Sequence, residues 1–583
     1  MTNVDGRPRA SARRVVARSS FGILLLAVPA ALHAQTASQI TPPSYAPPVE
    51  RRPEAPLALP SDIIRQAPPG SESLFVTLGD LTVSGGTLAP QTMAMLRSRL
   101  IGKRISVAQV FAAAQDAEAS EARAGRVLVR VVVPQQDIAD GKTLRLMVVE
   151  GFVESVDLSG VPKAVRARIA GLLAGLQDRR DVELAQLERK LTLAADTPGV
   201  TLRSALKPGK QPGGVVLQIA ADWRPITGLA SFDNSLPSAL GRDSFGIGVN
   251  LNSVLGAGEL IYLRAYGLPN GGGGTGFLDA TPRDRTLAAG AILPLGNDGL
   301  TLTIEGTDAR TAPRHSDLLP GFASHFQRLS YTLRYPVVRR RALTVGVEGR
   351  FDIEDDRVRI ISPIVLPVSK DKLRVARAAA DVSAWLPAGG LASARIELSL
   401  GINGLGARSA ADATPIDPLS RAGTDADFRK LLFTGSISQP VAPHVEVALL
   451  GQAQSSFGKP LANAEQIGIA TADGISTLPS GALQGDDGYV VRGELRAPFS
   501  LPARTVFARL TPYVFAAQGG VHYRQPTVLE RATTHAFAYG TGLRFDGQAS
   551  DGGPGLSARL EYGSGHVEGR RDDRVSVTLF ASF

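Results

Sequence analysis

The sequence predicts a membrane β-barrel of about sixteen antiparallel strands, preceded by two small α+β modules. Three observations predict it. The last ten residues, Arg574 to Phe583, alternate: Val575, Val577, Leu579 and Ala581 share one face, while Ser576, Thr578 and Ser582 share the other, with Phe580 the exception. From about Pro225 onward the chain reads as short alternating strands separated by Gly, Pro, Asp and Asn. After the N-terminal leader, no apolar run approaches the roughly 18 residues of a membrane helix, which excludes a helical-bundle membrane protein. The closing alternation alone would also suit an edge of a soluble sandwich.

Composition narrows the chemistry. The 583 residues contain no cysteine, which removes disulfides, thiolate metal sites and thiol nucleophiles. The net charge of +9 is spread over both signs, with no Lys/Arg block of the kind that binds nucleic acid, so nucleic acid is not an expected partner. A mildly basic surface suits anionic outer-leaflet lipid.

Residues 1–34 carry Arg7, Arg9, Arg13, Arg14 and Arg18, then the apolar Phe21 to Ala31 and small residues up to Ala34: a secretory signal peptide. Arg13-Arg14 resembles a twin-arginine signal, but a membrane barrel crosses the inner membrane unfolded, which favours the general secretory route. Residues 35–72, with Pro42-Pro43, Pro47-Pro48 and Pro68-Pro69, read as an extended proline-rich linker. Residues 73–150 alternate strand (Leu74 to Val83), helix (Pro90 to Leu100), a second helix opened by the Ser106–Gln109 capping box, and strands at Val127 to Val133 and Thr143 to Val149. Residues 151–223 repeat the plan, with strand Phe152 to Leu158, helices Val161 to Leu173 and Val182 to Ala195, and strands Thr201 to Leu206 and Val215 to Ala221. Residues 224–583 are the barrel. Phe245, Ile247, Val249 and Leu251 oppose Ser244, Gly246, Gly248 and Asn250, and Leu343, Val345 and Val347 oppose Thr344, Gly346 and Glu348: grease outside, a polar lumen inside.

Pro134-Gln135-Gln136, Ile138, Gly141, Leu144, Leu146 and Val148-Val149-Glu150-Gly151 resemble the P-x-Q-x-(L/I)-x-x-G-x-L-x-L-x-V-x-E-G signature of the first POTRA module of two-partner-secretion transporters, the TpsB family of ShlB/FhaC/HecB type. Pro198-Gly199-Val200, Pro208-Gly209 and Pro212-Gly213 resemble that family's second module. Asp233-Asn234 with Gly241, Leu255-Gly256 with Gly258-Glu259, Tyr335-Pro336 and Gly540-x-Gly542-Leu543-Arg544 extend the resemblance through the barrel. It implies two periplasmic POTRA modules, sixteen strands, and relation to the barrel-assembly protein BamA.

The family folds a long loop into the lumen, where the arginine of a V-R-G-Y/F motif pairs with the aspartate of an F-x-D-x-G strand. Gly485-Asp486-x-Gly488-Tyr489, followed by Glu494-Leu495 and Pro498, resembles the strand after that loop, so Arg492 of Val491-Arg492-Gly493 falls in the strand. Counting back, the loop motif becomes Ile475, Ser476, Thr477 and Leu478, with serine in place of arginine. Phe515-Ala516-Ala517-Gln518-Gly519 resembles F-x-D-x-G with Ala517 in place of aspartate. Loss of both partners removes the desolvation problem of an unpaired charge, so the inward loop is expected to be held by other contacts, or to be looser, than in the wider family. The rival reading is that Arg492 supplies the motif in a shifted frame.

Gly271 to Gly274 with Thr275-Gly276 lacks a phosphate loop's G-K-[ST] ending and reads as an outer loop. The histidines (His315, His325, His444, His522, His535, His566, with His33 in the leader) have no metal-ligand spacing. Asp486-Asp487 and Asp572-Asp573 read as solvated charges. No catalytic site, cofactor or metal is therefore expected.

The expected function is export of an unfolded secreted partner, TpsA-like and of haemolysin or adhesin type, across the bacterial outer membrane. Outer-membrane lipid or lipopolysaccharide is a further expected partner, as is the barrel-assembly machinery during insertion. The alternatives are an assembly factor of the BamA or TamA kind, or a passive porin or hydrolase barrel.

Overall fold

The computed structural model describes residues 36–47, 67–179, 182–269, 275–315, 320–501, 506–528, 530–549 and 553–583. The expected leader, and residues 48–66 of the expected linker, lie outside the described residues.

The first module is a three-stranded sheet in the order Asp80–Ser84, Thr143–Glu150, Val129–Val132, covered by helices Pro90–Leu100 and Val107–Arg123. In the central strand Leu144, Leu146 and Val148 are buried while Arg145 and Met147 are exposed, the alternation of a sheet with one covered face. The capping box closes: Gln109 N donates to Ser106 Oγ at 3.3 Å and Ser106 N donates to Gln109 Oε1 at 2.8 Å. Ala89 cannot cap the preceding helix with its side chain. The buried Glu121 carboxylate supplies the acceptor instead, taking Ala89 N at 2.9 Å and the Arg126 guanidinium.

The strand expected over Leu74 to Val83 is in fact two. Phe75–Thr77 pairs with Arg104–Ser106, whereas Asp80–Ser84 pairs with Thr143–Met147. Gly79 marks the change of partner, and a Cβ there would lie 2.6 Å from the Gly141 carbonyl oxygen.

The second module repeats the plan with strands Phe152–Gly160, Gly214–Trp223 and Val200–Pro208, in that order, and helices Lys163–Leu173 and Leu184–Ala195. Val165, Ile169, Leu172, Leu187 and Leu191 fall three or four residues apart and bury against Leu217 and Ile219. This module is bolted to the barrel's near turns. Arg168 donates to Gly296 O (2.7 Å), Arg189 to Pro336 O (2.8 Å) and Asp298 O (2.9 Å), and Arg339 of the barrel forks onto Asp196 at 2.6 and 2.8 Å.

The barrel runs from Ile226–Asp233 to Arg570–Ser582 and closes; with the short Phe499–Leu501 counted as the continuation of Asp487–Arg496, it has sixteen antiparallel strands. Closure joins the first strand to the last, so strand neighbours take up the backbone hydrogen bonds that hydrocarbon cannot. The lipid band is legible on Gly321–Arg339. Its outward positions are Leu329, Tyr331, Leu333, Tyr335 and Val337, about ten residues of chain, while Ser324, Phe326, Arg328 and Ser330 turn inward and are buried.

First and last strands meet over five residue pairs, from Thr578↔Asp233 to Ser582↔Leu229. Gly228 N then donates to Phe583 O at 2.6 Å, and Phe583 N donates to Gly228 O at 3.0 Å. A Cβ on Gly228 would lie 2.2 Å from the Phe583 ring, so glycine is required at this seam. Phe580, the exception in the alternation, pairs with Ser231 on the lumen-facing side.

Residues 36–47, assigned above to a linker, lie inside the barrel. Ala37–Ile40 forms one helical turn whose Ala37 N donates to Ser324 Oγ (3.0 Å), Ser38 Oγ donates to Asp356 Oδ2 (2.5 Å), and Tyr45 N donates to Glu305 Oε2 (2.9 Å). The prolines do forbid a long helix here, but extended backbone with free N–H groups is what wall carboxylates can hold.

Candidate functional site: the occupied lumen

A second segment also enters the lumen. The connection 456–486 joins Val445–Ser455 to Asp487–Arg496 and folds inward from the mouth remote from the modules. It is held at three levels.

At its base, Asp486 is fully buried. It accepts Arg421 Nη1 (2.7 Å), Leu461 N (2.9 Å) and Arg524 N (2.7 Å), tying three outer connections together. The expectation of a solvated charge at Asp486 is thus corrected: with Gln466 Nε2 at 3.3 Å, four donors converge on one carboxylate, which repays its desolvation. Farther in, Glu465 is clasped by Arg377 (2.6 Å) and Lys430 (2.7 Å) from the wall, and Arg377 also pairs with Asp352 at 2.5 Å.

At the tip, Ile469 and Ile475 pack on Val490, Phe515 and Ala517. Beside them lies Arg492, 0% exposed. Its Nε donates to Glu494 Oε1 (2.7 Å), its Nη2 to Glu561 Oε2 (2.5 Å) and its Nη1 to Ser476 Oγ (3.0 Å). The guanidinium carbon sits 3.8 Å from the Phe515 ring centroid. Ser476 Oγ donates in turn to Glu561, Tyr513 OH donates to Glu561 Oε2 at 2.7 Å, and Arg559 reaches Asp473 and Ala472 O on the loop.

The sequence-derived positions fall as follows. Ile475, Ser476, Thr477 and Leu478 are at the loop tip, and Ile475 and Thr477 are buried. Thr477 rests on the wall where Gly563 and Gly565 leave room: a Cβ on Gly565 would be 2.2 Å from its hydroxyl. Ala517 is the direct cross-strand neighbour of Arg492 and packs in the apolar cluster. Arg492 lies in the strand after the loop, and its guanidinium nevertheless meets the loop tip. The contact at the tip is a charged one: the arginine comes from the wall, and its carboxylates are Glu494 and Glu561.

Gly485 and Gly488 border the loop base, where a Cβ would come within 2.9 Å of His522 N or Gly520 O, and Tyr489 faces outward. Within the G-x-G-L-R run, Gly542 admits the Tyr513 ring, and Arg544 donates to Glu494 at 2.9 Å. Sequence reasoning missed Glu561, Glu494, Tyr513 and Glu465. For Glu494 and Glu561 the available signal was an isolated charge at an inward position of an otherwise alternating strand.

The POTRA signature residues serve the module's own architecture. Gln136 imitates a strand neighbour, taking Arg145 N (2.8 Å) and giving to Arg145 O (2.7 Å). Gly141 has φ +72° and donates to Thr77 O, Glu150 receives Thr87 N, and a Cβ on Gly151 would be 2.2 Å from Leu128 O. Pro134 accepts Gln136 Nε2, and Gln135 is exposed. Among the described residues no group of three potential metal ligands occurs.

The lumen is thus an ion-paired wall filled by two segments. The Tyr45 ring packs tilted against the wall's Tyr266, with centroids 5.2 Å apart, and Gln484 of the loop donates to Gln39 O of the N-terminal turn at 3.1 Å, so the two segments touch.

Residues 214–545 match the family described as haemolysin secretion/activation protein ShlB/FhaC/HecB, and residues 77–151 match the ShlB-type POTRA domain. Among solved structures the chain is similar to CdiB from Escherichia coli (17% identity, 95% of each chain covered, TM-score 0.65) and CdiB from Acinetobacter baumannii (15% identity, 94% of this chain and 95% of that one, TM-score 0.57). It is also similar to BamA from Haemophilus ducreyi lacking POTRA domains 1–3 (11% identity, 87% and 100% covered, TM-score 0.50). No curated protein sequence matches it. The closed barrel, the POTRA unit before it and a family match over more than half the chain lead to one conclusion: the chain belongs to the ShlB/FhaC/HecB family, the two-partner-secretion transporters of the bacterial outer membrane.

Proposed function

We propose that this transporter takes an unfolded haemolysin- or adhesin-like partner from the periplasm and passes it outward through the barrel once the two lumenal segments have moved aside. The observation that carries the reading is a module bolted by Arg168, Arg189 and Asp196 to the mouth of a barrel whose lumen is filled by displaceable segments. Capture is by strand addition: the outer strands of both three-stranded sheets, such as Val200–Pro208 and Phe152–Gly160, have a sheet neighbour on one side only. No nucleotide enters this scheme, and the driving force is folding of the partner outside. The protein acts as a channel and not as an enzyme. It meets outer-leaflet lipid or lipopolysaccharide around the barrel and the barrel-assembly machinery during insertion.

Deletion of residues 74–221 tests this. The barrel is expected to insert, and export of a co-expressed partner is expected to fall to background. Continued export would overturn the proposal.

A further inference from the structure

The outer wall of the barrel is not uniform. Across eight adjacent strands it bears an exterior groove of about 990 Å³ that starts beside Phe583 at the seam and rises to Lys372 and Arg374. Its floor is made of small outward residues, Ala265, Ala289 and Gly306, and its sides of exposed apolar ones such as Ile247 (66% exposed) and Leu263 (59%). A Cβ on Gly306 would meet nothing within 4 Å. A plain lipid-facing wall is convex, so an apolar trough in it has the shape to hold acyl chains.

The upper end of the groove is basic. The first strand leaves the periplasmic module, so the remote ends of the strands lie on the outer-leaflet side. There the lipid band stops: outward Leu329 gives way to Gln327, and outward Ile353 to Asp355 and Arg357. Asp355 is engaged by Arg357 at 2.7 Å and Asp308 by Arg310 at 3.0 Å and His325 at 2.7 Å, so both nearby carboxylates already have partners. Arg359, Lys370 and Lys372 have no carboxylate partner among the described residues, and Arg374 donates to backbone carbonyls, including Leu405 O at 3.0 Å. On the opposite wall, the corresponding outward positions are Gln518, His535 and His566, with Arg571 paired to Asp573 at 2.9 Å. Four cations without carboxylates, at the depth of the outer-leaflet headgroups and above an apolar trough, are complementary to a lipid with several phosphates and several chains.

We propose that this groove is a binding site for a phosphorylated glycolipid of the outer leaflet. Acyl chains lie over Ala265, Ala289 and Gly306, and phosphates are held by Arg359, Lys370, Lys372 and Arg374. This rests on the outer-membrane reading and makes its general lipid contact a specific one.

Native mass spectrometry of the detergent-solubilised full chain tests it, with bisphosphorylated lipid A, dephosphorylated lipid A and phosphatidylglycerol as probes. Wild type is expected to retain bisphosphorylated lipid A in preference to the other two. The triple variant Arg359→Gln/Lys370→Gln/Lys372→Gln is expected to bind it about a hundredfold more weakly, since each cation at an anionic headgroup contributes roughly a factor of five. Ala289→Trp, which fills the floor without touching a charge, is expected to lower retention as well. Heat-modifiable migration on gels confirms that each variant is folded. Equal retention by the triple variant, no preference over dephosphorylated lipid A, or equal retention of phosphatidylglycerol would each overturn the proposal. Export of the partner is read separately, so a failed lipid site and a failed transport reading are distinguishable.

Discussion

Arg492 shows how a charge can change its chain origin and still reach the same place. It sits among two carboxylates, a serine and an aromatic face with no exposed surface, so truncation strands Glu494 and Glu561. Arg492→Ala is expected to cost about 3–5 kcal/mol, the range for breaking a buried pair, and to free the loop tip; the midpoint of heat-modifiable unfolding and channel conductance measure the two effects. Arg492→Met combined with Glu561→Gln removes charge from both sides and is expected to recover part of that loss. Ser476→Ala removes one hydroxyl from the network and is expected to cost about 1 kcal/mol. Ala517→Asp would place a third carboxylate directly across from Arg492, and it is expected to weaken the tip rather than restore a lost contact.

That contact was only half legible. The serine and alanine substitutions could be read off the motifs, and so could the strand position of Arg492. Glu561 could not, because it lies 69 residues away and enters the site through strand register. Asp486 looked like one of a pair of turn charges, and only the convergence of two other connections, through Arg421 and Arg524, on its own connection makes it a buried clasp.

At the level of elements, period and capping residues carried most of the information. The Pro90–Leu100 helix, the Ser106–Gln109 box and the alternating barrel strands are local patterns. The break at Gly79 is not, because it reflects a change of strand partner. The Pro90–Leu100 helix depends on Glu121. Burial opposes ionisation of this carboxylate, but hydrogen bonds from Thr92, Ala89 N and Arg126 outweigh it and hold its pKa below the usual glutamate value. A lowered folded-state pKa gives stability that is present above the unfolded value and lost as pH falls through the folded one. Hydrogen exchange across residues 90–123 of the full chain is therefore expected to accelerate at acid pH. Glu121→Ala is expected to produce the same acceleration at neutral pH, at a cost of about 1–3 kcal/mol. Unchanged protection in that variant would contradict the role given to this carboxylate.

On the scale of the molecule, the barrel was legible because lipid imposes a strict two-residue rule on every strand. The lumenal course of residues 36–47 was not. This segment is held through backbone N–H groups and hydroxyls donating to wall carboxylates, which leaves no apolar pattern behind. Deleting residues 36–47 is expected to raise single-channel conductance in planar bilayers while leaving the barrel inserted; conductance equal to wild type would contradict a filled lumen.

The central claim is that the 456–486 connection is docked inside the barrel with its tip against the wall. Thr477→Cys with Gly565→Cys tests it most directly, in a chain with no other cysteine. A Cβ on Gly565 lies 3.0 Å from Thr477 Cβ, a small adjustment from the roughly 3.5–4.5 Å of a disulfide. Peptide mapping of the oxidised full-length protein is expected to find the two residues linked in most molecules; two free, alkylatable thiols in a folded barrel would contradict the account.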